Sequence, residues 1–350
     1  MNTRLRPRVS VCIPAYNGAR YISACLDSAV SQTMDDIEVV VVDDRSSDDT
    51  VTIAEAYARR DPRFRIERND RRLGLVANWN RCVDLAGGEW VKFLFQDDLL
   101  APRCLEALLG AGDPREAPMV ACRRDIVFED VSVETREEYV RHLAEESFDA
   151  VFRERTRVGP EDFRKAVLSH IGVNFVGEPT AVLLHRSLFR RFGMFNPNFA
   201  MIGDLEYWTR VGIHVGLRFV PETLATFRAH TGSATAANKS EVPHRGKVFD
   251  PTILLHEFVF NPSFAPLRAA ASRQRPPVNL RRQFAWAALR TRRAAEGEDA
   301  NVDSERRLAD WRAAIARYPR LERSVPVRAL QVRLALERAR QGILARTSTR

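Results

Sequence analysis

Three short apolar runs, each stopping at a polar or acidic loop, constrain this chain more than any other feature. Residues 8–14 (RVSVCIP), 37–42 (IEVVVV) and 90–95 (WVKFLF) are apolar along nearly their whole length. A strand with one wet face alternates apolar and polar residues, whereas a strand covered on both faces reads as a continuous run. The runs stop at Tyr16-Asn17-Gly18, Asp43-Asp44 and Gln96-Asp97-Asp98. Between them lie helical patterns. Ile22, Cys25, Leu26, Ala29 and Val30 recur at helical spacing within residues 20–32. A helix over 49–59 opens after Ser46 and Ser47, and one from Gly74 to Ala86 is closed by Gly87-Gly88. Residues 64–67 form a further short strand. This alternation predicts an α/β fold with a mainly parallel central sheet. Ligands of such sheets bind beyond the carboxyl ends of the strands, where the three polar loops converge.

Beyond Asp113 the alternation weakens. Residues 120–127, 176–185, 215–220 and 224–227 have strand character, and 133–146, 160–170 and 203–211 read as helices. After Ser240 the composition turns to Arg, Ala and Leu, predicting amphipathic helices over 280–294, 304–318 and 327–345. Two regions follow: residues 1–240, with a nucleotide-binding part over about 8–112 and an acceptor side over about 113–240, and a mostly helical extension, 241–350. The net charge of +8 divides unevenly between them. Residues 241–350 hold 22 basic and 11 acidic side chains, so the first 240 are slightly acidic. Anionic surfaces, such as a membrane face, are therefore expected to meet the extension. A helical cap on the first region is the competing role for it.

Other features exclude whole classes. No apolar run is long enough to span a bilayer, and the basic start is followed by an apolar stretch too short for a signal peptide. The expected location is cytoplasmic, with peripheral contact at the inner membrane face as an option. Cys12, Cys25, Cys82, Cys104 and Cys122 stand singly in apolar segments, without zinc or disulfide spacing, and are expected to be reduced core residues. The basic extension lacks interleaved aromatics or a nucleic-acid motif, so no nucleic-acid partner is expected.

The acid pair Asp97-Asp98 carries the chemistry. Two carboxylates at a strand end can hold a hard divalent cation, which in turn holds a diphosphate. A solvated acidic loop would look the same in isolation. Asp43-Asp44 on the same sheet edge adds repulsion that only a cation or nearby donors would relieve.

In order, the chain also carries the Pro14-x-Tyr16-Asn17 loop, Ser28-x-x-x-Gln32-Thr33, Asp43-Asp44-x-Ser46-x-Asp48-x-Thr50, Leu73-Gly74, Asn80, Gly88-Glu89-Trp90 and Asp97-Asp98. Gly203-Asp204 and Arg228-x-His230-x-x-Ser233 follow. Over about residues 8–235 this series resembles the family 2 glycosyltransferases, inverting enzymes of the GT-A fold. The resemblance implies that Pro14, Ala15, Tyr16, Asn17 and Asp44 hold the base and ribose of a nucleotide sugar. It places Asn80 and Asp97 on the nucleotide, Asp98 on Mn²⁺ or Mg²⁺ bridging the diphosphate, and His230 as a second ligand. Asp204 would be the base that deprotonates an acceptor hydroxyl, with Glu206 as the alternative. At a helix start, its carboxylate is expected to keep a low pKa. Glu178, Trp208 and Arg228 are candidate sugar or acceptor contacts. A helix cap for Asp204, an ordinary hydrogen-bonded histidine for His230, an extended turn for Glu178 and a core position for Trp208 are the plain alternatives. Phe95, two residues before Asp97, and Arg45 stand where the family commonly has an acid and a glycine.

The expected activity is transfer from a nucleoside diphosphate sugar, UDP or dTDP before GDP, to a saccharide or lipid-linked saccharide of the cell envelope. A nucleotidyltransferase would need a Gly-rich basic cradle after the first strand, which Pro14-Ala15-Tyr16-Asn17 is not. A phosphate-accepting receiver would leave Asp97-Asp98 and the following 130 or so residues unexplained.

Overall fold

A nine-stranded sheet, counted among the described residues, organises the N-terminal part of the molecule. Its strands are β1 (Val9–Ala15), β2 (Ile37–Asp43), β3 (Phe64–Arg68), β4 (Trp90–Phe93), β5 (Leu99–Leu100), β6 (Met119–Glu129), β7 (Arg157–Val158), β8 (Val182–His185) and β9 (Leu217–His230). The structure is a computed structural model that describes residues 6–233, 245–296 and 302–323. The chain divides into two compact units, Met1–Val242 and Pro243–Arg350.

Strands β3, β2, β1 and β4 lie side by side and parallel, and beyond β4 the sheet is mixed. Every residue of β1 is buried, and β2 is buried except at Glu38, as continuous apolar runs require. The helices Ile22–Val30 and Thr50–Ala58 join successive parallel strands, and Leu26, Ala29 and Ala54 enter the same core as Val11, Val39 and Leu105. Ala15 pairs with Asp43 and Cys12 with Phe93, so the polar loops leave one edge together.

The second half of the sheet delivers chemistry to that edge from another direction. β6 and β9 run parallel, pairing Val127 with Arg228 and Glu129 with His230. β5 pairs antiparallel with β9 just after Asp98. Acid pair and β9 side chains therefore meet by backbone pairing, not by a flexible loop.

Three expected elements differ from what forms. Residues 215–220 and 224–227 belong to the single strand β9, while Val215 ends the helix Gly203–Val215. Gly216, at φ 75°, makes that break. Within 176–185 only Val182–His185 pair, because Pro179 starts a 3₁₀ turn over Pro179–Ala181. The run over 90–95 pairs only to Phe93.

The second unit is helical: Asp250–Phe260, Ala265–Arg273, Leu280–Ala295 and Val302–Arg317. Phe258, Phe264, Phe284, Leu289 and Trp311 form buried positions, while Arg281, Arg282, Arg290 and Arg293 of one helix are exposed. Burying each large apolar side chain contributes about 1.5–3 kcal/mol, and the arginines occupy the wet face. The helix expected over 327–345 lies outside the described residues. All five cysteines are free and buried. Among the described residues no helix is long and apolar enough to cross a membrane.

Candidate active site

The loops after β1 and β2 are sewn together by side chains. Asn17 turns through a left-handed φ of 48°, which Asn tolerates better than most residues. Its Oδ1 accepts from the Ser47 amide at 2.9 Å, and its own amide donates to Ser46 Oγ at 2.9 Å. The Gly18 amide donates to Thr50 Oγ1 at 2.7 Å, and the Ala19 amide to Asp48 at 3.0 Å. The Ser46-x-Asp48-x-Thr50 spacing thus serves as a cradle for the Tyr16–Asn17 turn. Gln96 completes it: its side-chain oxygen accepts from the Tyr16 amide at 2.9 Å, and its NH₂ donates to the Tyr16 carbonyl at 3.0 Å. The Tyr16 ring lies 4.0 Å beneath the Arg72 guanidinium.

Donor groups relieve the repulsion expected of Asp43-Asp44. Asp43 accepts from the Arg45 and Ser46 amides and faces Arg68 at 3.3 Å. Arg45 makes that turn at φ 69°, so the commonly glycine position keeps its left-handed backbone. Asp44 is buried, accepting from the Leu73 amide at 2.7 Å, the Gly74 amide at 2.8 Å and Asn69 at 2.9 Å. It therefore fixes the 69–74 loop, with its oxygens turned to that loop. Asn80, expected at the nucleotide, forms a two-way amide clip with the Phe195 backbone at 2.9 and 3.0 Å. The buried asparagine of that helix is Asn78, bonded to Asn69 and to the Val42 carbonyl.

The acid pair divides its work in an unexpected way. Asp98, expected to hold the cation, is fully buried and turned inward. Thr180 Oγ1 donates to its Oδ2 at 2.5 Å and the Arg228 amide to its Oδ1 at 3.0 Å. Burial first, and then the neighbouring Asp97 charge, push its pKa well up. The carboxylate on the open side is that of Asp97, 3.0 Å from His230 Nε2. The pair lies in the turn between β4 and β5, closed by the Asp98 amide donating to the Phe95 carbonyl at 3.0 Å, and this turn gives the two side chains different surroundings.

His230 and Arg228 are held from behind by Tyr21. The tyrosine ring lies 4.4 Å from the imidazole and 5.0 Å from the guanidinium, and its hydroxyl donates to Glu129 at 3.0 Å. Arg228 also donates to the Asp97 carbonyl at 3.0 Å and pairs with Glu129. Tyr21 and Glu129 escaped the sequence reading, because only the β6–β9 register brings Glu129 beside Arg228.

On the acceptor side, Asp204 sits in the first turn of the helix Gly203–Val215. Asn174 donates to its Oδ2 at 2.9 Å and also accepts from the Gly177 amide at 3.1 Å. Its pKa is pushed up to about 7, chiefly by burial, with Glu178 adding to the rise and the Leu205 amide opposing it. The expected low value is thus corrected: desolvation outweighs the helix terminus. Glu206, the alternative base, is buried and held at both oxygens by Arg210, at 2.8 and 2.9 Å. Trp208, a candidate sugar platform, is 1% exposed and donates to the Gly177 carbonyl at 2.9 Å, so it has no face open to a sugar. Glu178 is ion-paired with Arg124.

Among the described residues, no three His, Cys, Asp or Glu side chains cluster so as to hold a metal ion by themselves. Asp97 and His230 form a two-residue donor set. Such a set suits a cation that keeps water and phosphate oxygens as its other ligands.

A half-parallel sheet with an acid pair in the turn after β4, and a buried carboxylate on a separate helix, is a GT-A glycosyltransferase fold. Residues 10–191 match the family model described as Glycosyl transferase family 2, and the chain belongs to that family. It is 33% identical over 268 residues to the uncharacterised Mycobacterium tuberculosis protein MT1568, covering 76% of this chain and 81% of that one. Two solved structures share its fold. S. aureus TarS with UDP-GlcNAc matches at a TM-score of 0.58 and 17% identity, over 92% of this chain and 82% of that one. The Pyrobaculum calidifontis mannosyltransferase PcManGT, with GDP-Man and Mn²⁺, matches at 0.53 and 21%, over 89% and 81%.

Proposed function

We propose that this glycosyltransferase moves a sugar, with inversion, from a nucleoside diphosphate sugar to an acceptor hydroxyl on a saccharide or lipid-linked saccharide of the envelope. One observation carries this reading: the Asp97–His230 pair, 3.0 Å apart and with Asp97 the more exposed partner, stands on the same sheet edge as the base-side loops. Asp204, at a pKa of about 7, lies on a separate element.

Asp97 and His230 would hold Mn²⁺ or Mg²⁺, with Asp98 bracing the turn between them from inside. When bound, the ion offsets charge on the departing diphosphate. Arg228, beside Asp97, adds a fixed positive charge there. Tyr16, under Arg72, offers a ring face to the base, while Asp44 acts by shaping the 69–74 loop. Asp204 accepts the acceptor's proton, and Asn174 fixes which carboxylate oxygen is turned away from it. A carboxyl near pKa 7 is poised for this at neutral pH. Tight apolar packing of the Asn80–Phe195 clip gives Asn80 a supporting role.

UDP and dTDP are favoured over GDP as donors, because Asp44 follows a strand and the Pro14–Asn17 loop is no triphosphate cradle. The fold shared with a UDP-GlcNAc-bound relative supports this, though the GDP-Man-bound relative shares it too. The test is a hydrolysis screen of UDP-, dTDP- and GDP-sugars with Mn²⁺. Release of UDP or dTDP is expected. Release of pyrophosphate from a nucleoside triphosphate and a sugar phosphate would overturn the reading in favour of a nucleotidyltransferase.

A further inference from the structure

At the opposite end of the sheet from the acid pair, the chain lines a cavity with positive charge. Its volume is about 280 Å³, and its walls are Arg6, Arg8, Glu89, His185, Arg186 and Arg190. The sheet register fixes its place. Arg8 precedes β1, Glu89 precedes β4, and His185 ends the antiparallel β8, paired with Trp90. All three are at the strand ends from which the donor loops do not leave.

Four guanidiniums face one carboxylate there. Glu89 sits 3.5 Å from His185. Arg186 is anchored by the Gly88 carbonyl at 2.8 Å and by Ala86, and Arg6 by the Gly87 carbonyl at 2.5 Å. These carbonyls hold the two side chains in place but leave their charges unbalanced. Burial, and then the Arg6 charge, hold the Arg186 guanidinium below its ordinary value. Glu38, the nearest further acid in that balance, is taken up by Ser10 and the Gly87 amide. Among the described residues, neither Arg8 nor Arg190 has an acid partner.

We propose that this cavity is a binding site for a phosphate-bearing anion, distinct from the donor site and unconnected to the reacting atoms. Two anchored guanidiniums present a fixed fork, and two unpaired ones stand ready to close on the ligand. Arginine suits phosphate because its planar donors engage two oxygens at once. A carboxylate ligand would use fewer of the donors. The cavity's size admits a phosphate or diphosphate group with its hydration, not a folded macromolecule. Occupation would tie the ends of β1, β4 and β8 together, so the site would stabilise the sheet that carries the catalytic loops.

The experiment uses the full chain and the double variant Arg8→Gln/Arg190→Gln, which alters two exposed side chains outside the catalytic machinery. Inorganic pyrophosphate is titrated calorimetrically, with UDP and Mn²⁺ saturating in both proteins to block the donor site. In parallel, flotation is measured with vesicles of phosphatidylglycerol and phosphatidylcholine at 1:3. Saturable pyrophosphate binding, weakened at least tenfold in the variant, is expected for a free phosphate ligand. Vesicle binding that falls equally in the variant, without saturable pyrophosphate binding, would assign the same site to a lipid headgroup. Binding of neither probe, or binding that the variant leaves unchanged, overturns the proposal. Because the readout is binding of a non-donor anion, its failure would leave the transfer reaction untouched.

Discussion

Asp204 is held in its neutral form by the protein interior, and its two roles pull in opposite directions. Its folded pKa of about 7 lies above the ordinary value of 3.8. The protonated form is therefore the one the fold favours. That contribution is complete below about pH 4 and is lost as pH rises through about 7. Proton acceptance needs the other form, so transfer should rise with pH across the same range. Asp204→Asn is accordingly expected to melt higher than the parent at pH 8, with the gap closing toward pH 5, as thermal unfolding at several pH values would show. A gap that stays constant with pH would mean that Asp204 is not perturbed. The acid pair gives a second contrast. Asp97→Asn should cost most of the Mn²⁺-dependent affinity for UDP, since an amide is a poorer ligand for a hard cation. Asp98→Asn should instead lower stability while UDP binding to the folded fraction persists. The reverse pattern in titration calorimetry would return the cation to Asp98. Sequence alone marked both acids, but not which faces out, because that depends on where β4 ends and on Thr180 approaching from 82 positions away.

At the scale of elements, Thr180 and Lys92 join three parts of the sheet. Lys92, fully buried in β4, donates to the Phe93 carbonyl at 3.0 Å and to that of Thr180. Thr180 in turn accepts from the Phe95 amide at 3.2 Å and donates to Asp98. Thr180→Val keeps the shape but leaves a buried carboxylate oxygen short of a donor, a loss of about 1–3 kcal/mol. Thr180→Ser should recover most of it, as denaturant midpoints would record. If Val and Ser behave alike, the hydroxyl has no such role. Gly216 offers an independent check of the helix-to-β9 break. A Cβ there would lie 2.2 Å from the Val158 carbonyl at a φ of 75°. Gly216→Ala should therefore destabilise the unit by about 1–3 kcal/mol. The parallel half of the sheet was legible because β1, β2 and β4 are largely apolar on both faces. The mixed half was not: β9 changes partners along its length, and its 14 residues include Pro221 and Glu222. Local patterning reads such a strand as two.

For the whole molecule, composition separated a slightly acidic catalytic region from a basic extension. The helices Leu280–Ala295 and Val302–Arg317 form where their spacing predicted them. Spacing reveals which face of a helix is wet, but not what the wet face meets. If the surplus of 11 positive charges in residues 241–350 serves an anionic membrane surface rather than a structural role, each basic residue close to the lipid contributes about 1 kcal/mol. Flotation of the full chain with anionic vesicles should then weaken steeply between low and high salt. Salt-independent behaviour would leave the extension a purely structural role. Whether donor binding and proton acceptance are divided between the acid-pair side and Asp204 is decided by measuring UDP affinity and UDP-sugar turnover together in Asp204→Asn. Donor and Mn²⁺ affinity should equal the parent's, with turnover reduced by about 10²–10⁴-fold, the usual contribution of a general base. Undiminished turnover, or loss of UDP binding in that variant, would contradict that division.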